Sequence, residues 1–171
     1  LTDALSLRDA VWLAMTGDSA PRFIAVYFSE PDHQGHLHGP DSPQVDTAIA
    51  EADAQVGRLM AGIDSLGLRD QVDLIVVSDH GMATVPADHL ILLDDYVPAD
   101  WITVLEGGAG ARIAPKAGYA DSVYRRLKGA NPHLAIYWKA EVPARSHSDW
   151  NPRIPAIVAM PDVGWYVTTH A

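Results

Sequence analysis

Two short apolar runs, residues 22–28 (RFIAVYF) and 72–77 (VDLIVV), frame one long helical pattern, and each empties into a set of carboxylates and imidazoles. Runs of that length, apolar at most positions and rich in β-branched and aromatic residues, read as strands buried on both faces. Between them, residues 45–66 place Ala48, Ala52, Val56, Leu59, Met60 and Ile63 at helical spacing. Strand, loop, helix, strand is a βαβ unit and predicts a parallel sheet, so the fold class is α/β. That topology brings Asp32-His33-Gln34-Gly35-His36 and Ser78-Asp79-His80-Gly81-Met82 to the carboxyl ends of two strands, the edge where open α/β sheets assemble their sites.

The flanking sequence is less regular. Residues 4–15 read as a short helix stopped by Gly17-Asp18. Residues 101–105 and 111–114 flank Glu106-Gly107-Gly108-Ala109-Gly110, which predicts a hairpin with a glycine-rich turn. A helix over 119–128 stopped by Gly129, then strands over 134–138 and 155–160, complete the pattern. Residues of about 98–150 would form a small α+β subdomain inserted on the main sheet, within one domain spanning 1–171. The glycines invite a phosphate-loop reading, but no lysine follows at the spacing such a loop needs, and turn chemistry accounts for them.

Composition narrows the chemistry. With no cysteine there is neither a disulfide nor a thiolate metal site, and histidine and carboxylate are the strong ligands left. Against 22 acidic residues stand 12 Lys plus Arg, a formal net charge of −10, so a nucleic-acid polymer would be repelled over most of the surface. No apolar run reaches the ~18 residues of a membrane span, and the first residues lack a signal peptide's order. The chain starts at Leu1 rather than Met, which suggests a processed form or a fragment.

Asp32 and His36 are four apart, so one helical turn places both on one side, and an oxygen with an imidazole nitrogen suits zinc or manganese. A solvated polar loop is the plain alternative for that pair alone. Asp79 and His80 follow an apolar strand directly, and an ionised carboxylate there is costly unless paired or metal-bound. Taken together the two pairs favour a metal site. Four ligands could close one tetrahedral site, or form two half-built sites awaiting further ligands. His33 and His38 read as solvent-facing loop residues, and His89, His133 and His147 have no second ligand at useful spacing. Asp94-Asp95 reads as a surface turn, the five tryptophans as packing residues, and Arg145 and Arg153 as salt-bridge partners.

In order along the chain, YFSEPDHQGHLHGPDS, a helix, LIVVSDHGM, HLILLDDYV and NPRIPAIVAMPDVGW resemble the nucleotide pyrophosphatase/phosphodiesterase family (type I phosphodiesterases) of the alkaline phosphatase superfamily. The resemblance covers nearly the whole chain but only the rear part of the family's catalytic domain. It implies an alkaline phosphatase-like parallel-sheet core, and zinc-dependent hydrolysis of phosphodiester or pyrophosphate bonds in small nucleotide or phosphodiester substrates. It also implies two divalent cations, zinc by preference. Asp32 and His36 would hold one with a further histidine, and Asp79 and His80 the other with an aspartate and a nucleophilic threonine. Those partners lie outside the motifs present here: no threonine stands in the nucleophile motif, which would fall upstream of Leu1. His170 lacks the flanking glycines and tyrosine of the last zinc histidine.

The resemblance therefore implies a portion of a phosphodiesterase that is inactive alone and expects the remainder of the catalytic domain as its partner. It implies a periplasmic or secreted place of work, which the absence of cysteine permits without requiring. Two other readings stay open: a non-catalytic module holding one structural metal, and a phosphomonoesterase or mutase of the same superfamily.

Overall fold

The computed structural model describes residues 21–147 and 151–170. The helix expected over 4–15 lies outside them, as do Trp12 and Trp150. The chain divides into two compact units, with the boundary between Met82 and Ala83.

In the first unit, helix α1 (Asp32–His38) leads through Gly39 into the long helix α2 (Pro43–Ser65). The start of α2 follows from local chemistry. Ser42 is extended and its side chain accepts from the Val45 N–H, and Pro43 occupies a position where no amide hydrogen is needed. The predicted stripe is the covered face: Ala48 and Ile63 are buried and Ala52, Val56, Leu59 and Met60 half-buried. Gly67, at φ +69°, turns the chain after the helix.

The runs 22–28 and 72–77 depart from expectation. Among the described residues neither carries a β ladder, so the βαβ unit is not closed by strand pairing here. Phe23, Tyr27, Ile75 and Val77 are 84%, 75%, 80% and 82% exposed. The physical reason is that a strand apolar on both faces is buried only when neighbouring strands and a covering layer are present. Composition encodes the demand for such neighbours and does not supply them.

The second unit follows its sequence pattern closely. Strand β1 (Leu90–Leu92) precedes β2 (Ile102–Glu106) and β3 (Ala111–Pro115), which form the antiparallel hairpin expected around the glycine-rich turn. Helix α3 (Ala120–Leu127) follows and ends before Gly129, at φ +74°. Then come β4 (Leu134–Trp138), β5 (Ile157–Pro161) and β6 (Tyr166–Thr168). The four-stranded sheet has the order β2-β3-β5-β4 and is antiparallel throughout. Strands β3 and β5 are the two interior strands; Ile157, Val158 and Ala159 of β5 are buried on both faces, whereas β3 and β4 alternate. Val123 and Leu127, one helical turn apart on α3, are fully covered in the same core.

The parallel pairing of this α/β chain lies elsewhere, between β1 and β6, with Leu90 opposite Tyr166 and Leu92 opposite Thr168. The glycine-rich turn receives β6. Gly108 N–H donates to Val167 O at 2.8 Å, and Val167 N–H returns a bond to Gly108 O at 2.9 Å. A Cβ on Gly107 would stand 2.9 Å from Val167 O, so glycine is required there for close backbone approach. The stretch is a docking turn, consistent with rejecting a phosphate loop.

Trp165 lies between two imidazoles, His89 at 4.3 Å and His133 at 4.1 Å between ring centroids, both near parallel. His89 Nδ1 contacts Gly164 O and His133 Nδ1 contacts Asp162, each at 3.1 Å. These histidines thus pack and tie turns. No described helix is long and apolar enough to cross a membrane.

Asp94 corrects the surface-turn expectation. Its side chain is only 16% exposed, and both carboxylate oxygens accept from the His170 N–H, at 3.0 and 3.1 Å. Burial works to raise its pKa, but hydrogen bonds from the His170 N–H, its own backbone N–H and the His170 ring outweigh it, and the carboxyl is held below its usual value. A depressed carboxylate pKa stabilises fully above the unfolded value of about 3.9 and is lost as pH falls through the folded value. Protection of the His170 amide from hydrogen exchange is therefore expected to be full at neutral pH and to fall below about pH 4, and Asp94→Asn should abolish that acid dependence.

Candidate metal centre

The site is built from α1 and from the segment after residue 77, both in the first unit. One turn of α1 separates Asp32 from His36, and His36 Nε2 stands 3.5 Å from Asp32 Oδ1. The second segment is folded on itself. Ser78 Oγ donates to His80 O, and the His80 N–H donates to Asp79 Oδ1 at 3.0 Å.

His80 Nδ1 lies 3.0 Å from Gly81 O. A carbonyl only accepts, so Nδ1 carries the hydrogen in this contact, and in the neutral ring Nε2 is left with its lone pair. This is the tautomer a metal ligand needs. That Nε2 faces two carboxylates, Asp79 Oδ2 at 3.7 Å and Asp32 Oδ1 at 4.0 Å. The Gly81 carbonyl first, then the Asp79 charge against a smaller desolvation effect, and then Asp32 raise the His80 pKa above its ordinary value. A cation binding at Nε2 competes with that proton, so binding strengthens as pH rises through the imidazole range.

Asp32 Oδ1 is therefore the meeting point of His36 and His80. Although 43% of the Asp32 side chain is exposed, this one oxygen is covered and has no hydrogen-bond partner. A covered carboxylate oxygen without a donor is unfavourable, and a cation held there beside the His36 nitrogen would satisfy it. The donor set, carboxylate oxygen with imidazole nitrogen and no thiolate, fits zinc.

The structure thus brings Asp32, His36 and His80 together and joins Asp79 to them through His80. Among the described residues no three His, Asp or Glu side chains close into a complete metal-binding group. What stands is two Asp–His pairs meeting at Asp32 Oδ1. His33 and His38, on the same helix, are exposed, in line with a solvent-facing role. Sequence reasoning missed the contact between Gly35 and Met82, whose only signal was a glycine inside a helical segment.

Residues 3–171 match the family described as type I phosphodiesterase / nucleotide pyrophosphatase. Human ectonucleotide pyrophosphatase/phosphodiesterase family member 5 is 39% identical over 142 residues, covering 83% of this chain and 30% of that protein. The bis(5'-adenosyl)-triphosphatase of Xenopus laevis is 36% identical over 160 residues, covering 93% of this chain and 35% of its own length. A solved structure of murine ectonucleotide pyrophosphatase / phosphodiesterase 5 superposes with a TM-score of 0.88 at 35% identity, over 99% of this chain and 45% of that one. The fold is thus a mixed α/β one shared with solved phosphodiesterase relatives. The chain belongs to the type I phosphodiesterase / nucleotide pyrophosphatase family. It spans about a third of the length of the curated relatives it matches.

Proposed function

We propose that this chain carries part of a two-metal centre that hydrolyses small phosphodiester or pyrophosphate substrates, nucleotides among them. The observation that carries the reading is Asp32 Oδ1, covered and without a donor, 3.5 Å from His36 Nε2 and 4.0 Å from His80 Nε2. Asp32 and His36 hold one divalent cation and Asp79 and His80 the second. Bound there, zinc supplies Lewis acidity and positive charge toward phosphoryl oxygens. The residues of the chain hold that charge in place: the helix fixes the Asp32–His36 spacing, and the Gly81 carbonyl fixes the tautomer of His80.

Substrate class is supported from outside the chain. One relative is named a bis(5'-adenosyl)-triphosphatase, and a murine relative was solved in complex with AMP. The nucleophilic threonine and the remaining ligands come, in this reading, from the remainder of a longer catalytic domain acting outside the cytoplasm. Support for such a partner lies in the runs 22–28 and 72–77, whose exposed Phe23, Tyr27, Ile75 and Val77 call for neighbouring strands. The 171 residues alone are inactive, and rapid turnover by them overturns that part of the reading.

The test is a zinc titration of the chelated chain, wild type beside Asp32→Ala and Asp79→Ala. Two sites, each weakened by a different substitution, are expected. One tight site lost in both variants would replace this reading with a non-catalytic module holding a single structural zinc.

A further inference from the structure

Gly35 is the one buried residue of α1. Its φ is not positive, so backbone conformation makes no demand for glycine, and glycine inside a helix costs about 1 kcal/mol relative to alanine. The demand comes from space. A Cβ at Gly35 would lie 2.5 Å from Met82 Sδ and 3.0 Å from Met82 Cε. The methionine thioether therefore fills the notch that the absent side chain leaves in the helix.

The notch has a particular place. Gly35 immediately precedes His36 and lies within one turn of Asp32, while Met82 follows His80 by two residues. The helix bearing one ligand pair and the segment bearing the other thus rest on each other at this point, beside the 4.0 Å approach of His80 Nε2 to Asp32 Oδ1. Methionine suits a stop of this kind, being long, unbranched and able to fill an irregular gap.

We propose that Gly35 and Met82 are positioning residues that set the separation of the two Asp–His pairs. The inference rests on the two-metal reading above. A β-methyl at position 35 obliges the thioether to swing out or the two backbones to part. Where the backbones part, the segment 78–82 moves off α1 and His80 shifts relative to Asp32; a thioether that only swings aside leaves His80 in place and the proposal fails. Metal coordination tolerates only about 0.2 Å in ligand distance, so a small displacement is enough to weaken a site shared across the two segments. Plain packing would also be disturbed by the methyl, but it would show as lost stability, whereas helix propensity makes Gly35→Ala neutral or favourable for α1 itself.

The experiment uses the full chain as wild type, Gly35→Ala, Met82→Ala and the double variant. Each is titrated with zinc, read by cobalt(II) absorption after substitution, and followed by thermal unfolding. Gly35→Ala is expected to keep the unfolding temperature yet weaken the second equivalent of zinc by about tenfold and alter the cobalt spectrum, as displaced supporting contacts do at metal sites. Removing the thioether in the Gly35→Ala background should restore both. Wild-type titration by Gly35→Ala, or a double variant no better than the single one, overturns the proposal. Should the wild type bind no metal, the two-metal reading fails by itself, and the gauge is judged on the metal-free chain. There the His80 and His36 ring resonances should shift in Gly35→Ala and return in the double variant, and unmoved resonances overturn it.

Discussion

Alanine at His36 or at Asp79 is expected to lower phosphodiester hydrolysis by the complete catalytic domain by several powers of ten while leaving its thermal unfolding nearly unchanged. Burial separates the two effects. The His36 and Asp79 side chains are 70% and 71% exposed, so truncation opens no cavity and strands no buried partner. What is removed, in the two-metal reading proposed above, is a donor to a cation, and the charge that the cation would place against the phosphoryl group goes with it. The measurement is kcat/KM on a nucleotide diester at saturating zinc, beside a melting curve for each variant. Preserved turnover in either variant removes that residue from the ligand set. A fall in unfolding temperature that tracks the fall in activity would assign it to the fold instead.

Ile113→Ala is expected to be among the costlier single truncations for the stability of the second unit, at about 2–5 kcal/mol. Ile113 is fully covered on β3, opposite Val104 on one side and Ile157 on the other, in the interior of the four-stranded sheet. Alanine there forfeits the transfer free energy of the lost methyl groups and leaves a cavity that flanking strands cannot close without breaking register. Against a total stability of about 5–15 kcal/mol for a typical domain the loss is large. The surface pair Arg69–Asp64, at 2.7 Å but about half exposed, is worth about 0–1 kcal/mol by comparison. Urea unfolding of the chain should show the midpoint falling at Ile113→Ala and hardly moving at Arg69→Ala. Equal midpoints would mean that the sheet interior is not where this unit's stability resides.

Local pattern and tertiary structure divided the work unevenly between the two units. The hairpin of β2 and β3, helix α3 and strand β4 were readable because their signals are short-range: alternation on either side of a glycine-rich turn, helical spacing, and Gly129 past the end. Helix α2 was readable from its stripe and from Ser42-Pro43 at its start. The pairing of β1 with β6 was not, since each is three residues long and they are widely separated in sequence. Nor was the place of β5 between β3 and β4, because strand composition does not specify a neighbour. The runs 22–28 and 72–77 show the converse, strong strand composition without a ladder among the described residues.

For the site, residue type carried much and distance nothing. The absence of cysteine, the helical spacing of Asp32 and His36, and the placement of Asp79 and His80 after an apolar run sufficed to nominate the four donors, and family motifs reinforced them. Those are properties of composition and local order, and any chain with the same letters has them. Only the folded backbone decided that Asp32 Oδ1 would be covered and left without a donor, that the Gly81 carbonyl would claim His80 Nδ1, and that Gly35 would open a notch for Met82. The reason is physical: hydrogen-bond satisfaction and van der Waals exclusion depend on separations of tenths of an ångström between segments far apart along the chain, and those separations exist only once the segments have packed.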